Sequence, residues 1–570
     1  MVRVYDRFLR QRLSRRRLLG ASAAAGLSAA TIAALGCRGD GGTTTRRTPS
    51  ANETPTTGGI YRLRQLGGAF PSLSPFGITA LFSSLVFGFT TYDHLWYVPI
   101  DTGEYEKMLA EEVEIVDEQG LQVNVTLREA FFHDKAPASG RQVLASDVVE
   151  SWFGFRDDPF GLGREWLKDI VQSLEAPNDT TFIINQKRPF AWMFGTAGAG
   201  SPSSSSVLPA ETIDGKQFDL NRDVLGSGRF FLESHRGGEN VKLRAFPRWR
   251  IPGEPFFGGV DFVYITDYTS AEAQFAAKGL DTHDFQNKLQ ADQMQDRLGD
   301  DISIVSSLQR QYHSLMIKAV PPFNDERVRK AIRLAINREE MIQLVERDAA
   351  GGVLSGIVPP AQELYALPED DPDMQEYIRY DEDEARSLLE DAGFPFDDEF
   401  TLLISSPNEE LADRAQVLKD QLSRVGIKAK IEAQDLLSVW IPRVLINADY
   451  QMTLFTHLPY EDPYLPLAFY TTYSPIGPRN PEGRNSMLYY DQEIDDAVDA
   501  SSLELELEPR IQKVQDAQRL IMEKEAPMIN LYSSVGFTGR WHWLKGVVDG
   551  RVSFGLFNGR AWIDANLRGS

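Results

Sequence analysis

Near residue 450 the chain gathers side chains that could do recognition chemistry: Trp440, His457, Tyr460, Glu461 and Asp462. Aromatic and imidazole rings stack on sugars, aromatic solutes or cations, and carboxylates hold ammonium groups. The same residues also suit plain structure. Trp440 fits interior packing, and Tyr460-Glu461-Asp462-Pro463 fits a surface turn. Covalent chemistry has less to attach to. The chain holds no Gly-x-x-x-x-Gly-Lys-Ser/Thr loop, no Gly-x-Ser-x-Gly elbow and no His-Glu-x-x-His pair. The run Gly195-Thr-Ala-Gly-Ala-Gly-Ser is glycine-rich but lacks a phosphate-binding lysine, so it reads as a loop. The seven histidines (94, 133, 235, 283, 313, 457, 542) are scattered, with no two at ligand spacing, so no metal site is expected from them. No cofactor motif is present either. Carboxylates are so numerous that any catalytic pair would be arbitrary.

The single cysteine, Cys37, rules out an intramolecular disulfide and multi-cysteine metal centres. It follows a leader. Ser14-Arg15-Arg16-Arg17-Leu18-Leu19 opens an uncharged, Ala-rich run that ends at Gly36. A basic segment before a mildly apolar one is an export signal, and Arg15-Arg16 resembles the twin-arginine type, which exports folded proteins. Ala34-Leu35-Gly36-Cys37 resembles a lipobox, so Cys37 is expected to carry a lipid on the outer face of the cytoplasmic membrane or in the periplasm. Residues 38–58 are rich in Gly, Thr, Ser and Pro and read as a flexible linker.

The positions that could recognise a ligand need a body to hold them. At 570 residues and 42% hydrophobic content the chain exceeds one core. A formal charge of −23, more negative still without the arginine-rich leader, excludes nucleic acid as a natural partner. Gln122–Leu127 alternates as a strand, Ala145–Phe155 reads as a helix with Ser146 or Asp147 near its cap, and Phe182–Asn185 reads as a strand. Phe400–Ser405, Glu410–Val425 and Ile427–Ile431 form a strand–helix–strand unit, with Gly426 where a helix-ending glycine belongs. Helices are also expected after Asn324-Asp325-Glu326, over Asp381–Ala392 and over Glu508–Lys524. Arg327, Arg329 and Lys330 are expected on the solvated face of the first of these. The class is α/β with a parallel sheet.

Several segments, in order, resemble the extracytoplasmic solute-binding proteins of ABC importers, family 5 (oligopeptide, dipeptide and nickel binders). They are Leu127-Arg128-Glu129-Ala130-Phe131-Phe132-His133-Asp134 with Asp147-Val148, Gly226-Ser227-Gly228-Arg229-Phe230, Pro322-Phe323-Asn324-Asp325-Glu326-Arg327-Val328-Arg329 through Asn337-Arg338, Tyr380 through Pro395, and Ala526-Pro527-Met528-Ile529-Asn530-Leu531.

The resemblance implies a type II periplasmic-binding-protein fold, with two lobes about a hinge and cleft plus an extra inserted domain. Residues 59–95, 216–308 and 530–570 would form lobe I, residues 96–215 the inserted domain and residues 309–529 lobe II. It implies a monomer that captures a peptide, sugar or other small organic solute by lobe closure and hands it to a membrane permease driven by an ATPase. It implies no catalysis. Peptide binders of the family often carry Asp-Tyr-x-Asp-Pro, whose first Asp pairs with the peptide amine. Here Pro459 stands in that place, so the amine partner is either missing or moved to Glu461 or Asp462. A secreted hydrolase or redox enzyme with a fold-assembled site, and a receptor that signals to a membrane sensor, are the other readings the sequence leaves open.

Overall fold

The computed structural model describes residues 54–65, 72–77, 83, 86–97, 105–158, 163–200, 205–309, 311–406, 409–458, 460, 462–472, 485–547 and 560–568. The leader residues Arg15, Arg16 and Cys37 lie outside them, as do Pro459 and Glu461.

A five-stranded sheet carries the parallel unit read from the sequence. Its order is Lys428–Asp435, Glu399–Ser406, Met452–Thr456, His313–Ile317, Met528–Asn530. The first three strands are mutually parallel and His313–Ile317 runs antiparallel between its two neighbours. The helix Glu409–Arg424 makes the crossover, and Gly426 follows it at φ +91°, where a side chain would be strained. One face of this sheet is a closed apolar core. Leu315, Ile317, Leu402, Ile404, Leu454 and Ile529 pack there against Val328, Ala331 and Ile332 of Glu326–Leu334 and against Ala415, Leu418 and Leu422 of Glu409–Arg424.

An antiparallel sheet forms a separate unit, with order Ala110–Ile115, Gln122–Leu127, Thr181–Gln186, Val171–Glu175. Helix Ala145–Asp157 covers it through Val148, Trp152 and Phe155. Asp147 sits in its first turn rather than at the cap and accepts from Leu144 N at 2.9 Å. Two glycines of the Gly226-Ser227-Gly228 motif serve close approach. A Cβ on Gly226 would collide with Thr91 O, and one on Gly228 would meet Thr90 O at 2.6 Å. The buried His133 ring bonds Gly228 O at 3.0 Å, tying two of the sequence motifs together. A third sheet pairs Ile60–Gln65 parallel to Gly259–Tyr264, followed by Asn240–Ala245 and Phe230–Arg236.

The ten-residue strand Tyr532–Trp541 follows closely on Met528–Asn530 of the five-stranded sheet and is the centre of a further sheet. Its start pairs with Gly352–Leu354, and the rest pairs with Thr282–Phe285 and Ile302–Leu308.

The structure corrects the expectation for Arg329. It is buried, and its guanidinium donates to Glu525 O at 2.5 Å and to Asn324 O at 2.9 Å. One helical turn on, Arg333 is 2% exposed and forms a two-pronged pair with Glu525, at 2.8 and 2.6 Å, while also donating to Glu376 O at 2.6 Å. Arg327 is exposed, as expected, but a second layer covers the helix at Arg329 and Arg333, whose guanidinium groups satisfy the carbonyl ends of neighbouring segments instead of facing water. Arg333→Ala leaves Glu525 buried without its partner and is expected to cost about 3–5 kcal/mol in denaturant unfolding, whereas pairing Arg333→Met with Glu525→Leu recovers most of that loss.

Candidate ligand-binding site

In open parallel sheets ligands bind at the carboxyl ends of the strands, where loops diverge and backbone groups point outward. Here that edge comprises Ser405 and Ser406, the residues after Asp435, and the segment from Thr456 to Asp462. The register settles which side chains meet there. Ser314 lies opposite Phe455 and Asn530. The ladder extends one step beyond the strand, with His457 N donating to Tyr312 O at 2.8 Å. Tyr312, Ser314, Phe455 and His457 therefore share the face away from the closed apolar core.

Tyr312 and His457 stack with centroids 4.0 Å apart and planes 5° from parallel. Phe455 and Phe469 meet the imidazole edge-on, at 4.5 and 4.7 Å. Tyr460 lies 6.3 Å from Phe469. The His457 ring bonds Ser314 Oγ at 2.9 Å, and burial pulls its pKa well below the usual value, so it is neutral. Burial pushes the Tyr312 phenol up, as do the neighbouring Tyr460 and Tyr377 hydroxyls, and it keeps its proton. Gln362 reaches over from another segment and donates to Tyr460 O at 2.9 Å and Asp462 O at 3.1 Å. Among the described residues the Tyr312 hydroxyl, His457 Nδ1 and Gln362 Oε1 are buried yet lack a partner for these atoms. Buried polar groups are ordinarily paired, so a cluster of unpaired ones at a sheet's carboxyl edge is a candidate place for a ligand to complete the bonding.

The candidates named from sequence divide between lining and frame. His457 and Tyr460 belong to the cluster. Trp440 forms its wall: the indole donates to Thr453 Oγ1 at 3.1 Å and lies parallel to Phe455 at 5.6 Å. Asp462 is engaged by backbone. One oxygen accepts from Tyr464 N at 3.1 Å and the other from Ala197 N at 3.2 Å, with Thr196 and Leu465 amides also turned to it. Burial nevertheless pushes this carboxyl up to about 6. Tyr312, Gln362, Phe455 and Phe469 do not stand out in the sequence. They come together only through pairing across long separations.

The fold also assembles His313, Glu346 and Glu410, with ligand atoms within 4.8 Å of one another. The cation among them is Arg414. Its guanidinium pairs with Glu410, lies 3.6 Å from Glu346 and donates to Tyr532 OH at 3.0 Å. Tyr532 and Ser534 donate to Glu346 at 2.7 and 3.2 Å, and His313 is bonded to Ser534 and Thr456. The group's polar atoms are thus spent on one another at the start of Tyr532–Trp541.

Residues 104–476 match the Bacterial extracellular solute-binding proteins, family 5. The chain belongs to that family. The glutathione-binding protein GsiB of Salmonella typhi is 26% identical over 381 residues, covering 65% of this chain and 69% of that protein. Two solved structures share the fold. The periplasmic binding protein DppA from Helicobacter pylori, in complex with the peptide STSA, superposes with a TM-score of 0.76 at 21% identity, covering 89% of this chain and 98% of that one. NikZ from Campylobacter jejuni, in complex with Ni(L-His), gives 0.69 at 18% identity, covering 89% and 99%. The architecture is accordingly the mixed α/β, type II binding-protein fold.

Two outcomes follow from this geometry. Trp440→Ala removes the wall behind Phe455 and is expected to destabilise the lobe by about 3–5 kcal/mol, measured by thermal or urea unfolding. Glu346, whose carboxyl is pushed up to about 7 by burial and by Glu410, carries a charge penalty that is present above pH 7 and fades as the folded state takes up a proton toward the ordinary carboxylate range. Wild type therefore gains stability from this group as pH falls, and a Glu346→Gln variant, which has no proton to take up, does not. The melting temperature of Glu346→Gln relative to wild type is expected to be higher at pH 8 than at pH 5.

Proposed function

We propose that this chain is the exported, membrane-tethered solute receptor of an ABC importer, and that its solute is held at the Tyr312–His457–Tyr460 edge. The observation that carries the ligand position is the set of buried polar atoms without partners there, against a neutral aromatic wall. Lobe I comprises residues 59–95, 216–308 and 530–570, residues 96–215 are an inserted domain, and lobe II is residues 309–529. Closure of the lobes traps the solute, and the closed form presents it to a permease powered by its ATPase. The receptor does no covalent chemistry on its cargo.

The relatives bear on the cargo through what they bind: glutathione for GsiB, a peptide for DppA and a nickel–histidine complex for NikZ. A small peptide-like or other organic solute fits this range. Pro459 stands where peptide binders often place the amine-pairing Asp, and Asp462 is committed to backbone amides. The tether is Cys37, delivered by the Arg15-Arg16 signal. No helix among the described residues is long and apolar enough to cross a membrane.

Native mass spectrometry of the chain extracted from membranes in detergent tests this reading. A small organic mass bound at one per chain is expected, and adding that solute at a hundredfold over its Kd stabilises the protein by about 2.7 kcal/mol. The Cys37→Ser variant is expected in the soluble extracytoplasmic fraction. A stoichiometric flavin or metal with measurable turnover overturns the receptor role.

A further inference from the structure

The glycine-rich run, read from the sequence as a loop without a phosphate-binding lysine, meets an anion from its own chain. Residues 188–200 leave the antiparallel sheet of residues 110–186 and reach the segments around the ligand edge. Arg188 pairs with Asp499 at 2.8 Å and donates to Ser502 Oγ at 3.2 Å. Ala191 N donates to Ser502 O at 2.8 Å. Phe190 meets Tyr464 edge-on at 5.3 Å, and Trp192 meets Tyr365 at 5.5 Å. The run then turns so that the amides of Thr196 and Ala197 face one oxygen of Asp462.

Glycine is needed here for space. A Cβ on Gly195 would lie 2.5 Å from Asp462 Oδ2, and those on Gly198 and Gly200 would collide with the carbonyls of Met193 and Phe194. The turn is a backbone-amide cradle for an anion, as such loops often are, and the anion is a side chain of the same protein. Asp462 faces both ways: its second oxygen caps the first amides of Tyr464–Ala468, directly after the Tyr460 position of the ligand cluster.

We propose that the Gly195–Gly200 turn and Asp462 form a latch that holds the inserted unit closed over the ligand edge, resting on the receptor reading above. Its construction suits opening and closing. The strands and helix of the antiparallel sheet pack principally on one another, and the bridge to the other lobe is one loop, whose buried Phe190, Trp192 and Met193 join the apolar core around Tyr460, Leu465 and Phe469 beside the hydrogen bonds and the ion pair. No strand or helix is shared across it, so the contact can part as a unit while each sheet stays paired. The Gln362 amide, which holds the carbonyls of both Tyr460 and Asp462, links the latch to the site: a solute that orders Tyr460 orders the carboxylate that the turn grips.

Hydrogen–deuterium exchange and small-angle scattering on the full chain in detergent test the latch, using wild type, Gly195→Ala and Asp462→Asn. Gly195→Ala inserts a methyl group where the carboxylate sits, and Asp462→Asn keeps one capping oxygen but replaces the other acceptor with a donor. In wild type the amides of Thr196 and Ala197 are expected to exchange slowly. In both variants they are expected to exchange about tenfold faster or more, with a larger radius of gyration and with the five-stranded sheet as protected as before. Unchanged protection at residues 196–197 in both variants overturns the latch. Loss of protection spreading through the five-stranded sheet also overturns it, because the contact is then a fixed part of a core. Failure of the receptor reading shows separately, as a wild-type chain that binds no solute in native mass spectrometry whatever the exchange rates of these amides.

Discussion

A single strand has to serve two sheets. Tyr532–Trp541 begins beside Gly352–Leu354, runs on between Thr282–Phe285 and Ile302–Leu308, and is preceded directly by Met528–Asn530 of the five-stranded sheet. Its ladder hydrogen bonds fix its place in its own sheet, its close succession from Met528–Asn530 ties that sheet to the five-stranded one, and side chains at its start anchor it. Tyr532 and Ser534 bond Glu346, and Arg414 bonds Tyr532. Burial, and after it the charge of neighbouring Glu410, push the Glu346 carboxyl up to about 7 against the pull of Arg414. The crossing point is thus neither a greasy core nor a solvated linker. It is a polar junction beside the ligand edge, with every bond in it sensitive to the strand's position.

Much of the fold was legible because local pattern and global packing agree. The strand–helix–strand unit from Glu399 to Asp435 lies within a few residues of its expected bounds, since its apolar positions repeat with the right period and Gly426 ends the helix as its φ requires. The helices at Glu326–Leu334, Glu382–Asp391 and Leu507–Glu523 follow for the same reason. Arg329 and Arg333 were not legible. A charged residue on the polar side of an amphipathic helix looks solvated until a second layer, here the carbonyls and carboxylate near Glu525, is laid over it. Periodicity reports which face is apolar and is silent on whether the other face meets water.

The site was legible in part, for a related reason. His457 and Tyr460 stand out as chemistry-bearing residues in a turn, and they are in the cluster. Their partners come from far along the chain. Tyr312 stacks on His457 only because His313–Ile317 pairs with Met452–Thr456 in one register, and a slip of one residue would turn it to the closed core. Gln362 reaches the same turn from a segment with no period of its own. The glycine run is plain in the sequence and its function is not, because nothing local hints that the anion it cradles is a carboxylate from 265 positions later.

Asp462 shows how the chemistry of this edge is apportioned. A carboxylate taken out of water loses far more than one hydrogen bond returns, and the shift of its pKa to about 6 records the residual cost even with several amides turned toward it. Were it also to serve as the counter-ion of a ligand ammonium, it would have to surrender an amide on one side, and either the first turn of Tyr464–Ala468 or the grip of the glycine turn would loosen. The anion is therefore better matched to holding protein to protein than to meeting cargo. What the proposed site offers a cargo is instead a phenol, an amide oxygen and a neutral imidazole, groups that give direction to a hydrogen bond without demanding a charge in return. In the proposed arrangement recognition and closure are divided between two residues of one short segment, Tyr460 on the side of the aromatic cluster and Asp462 against the glycine-rich loop.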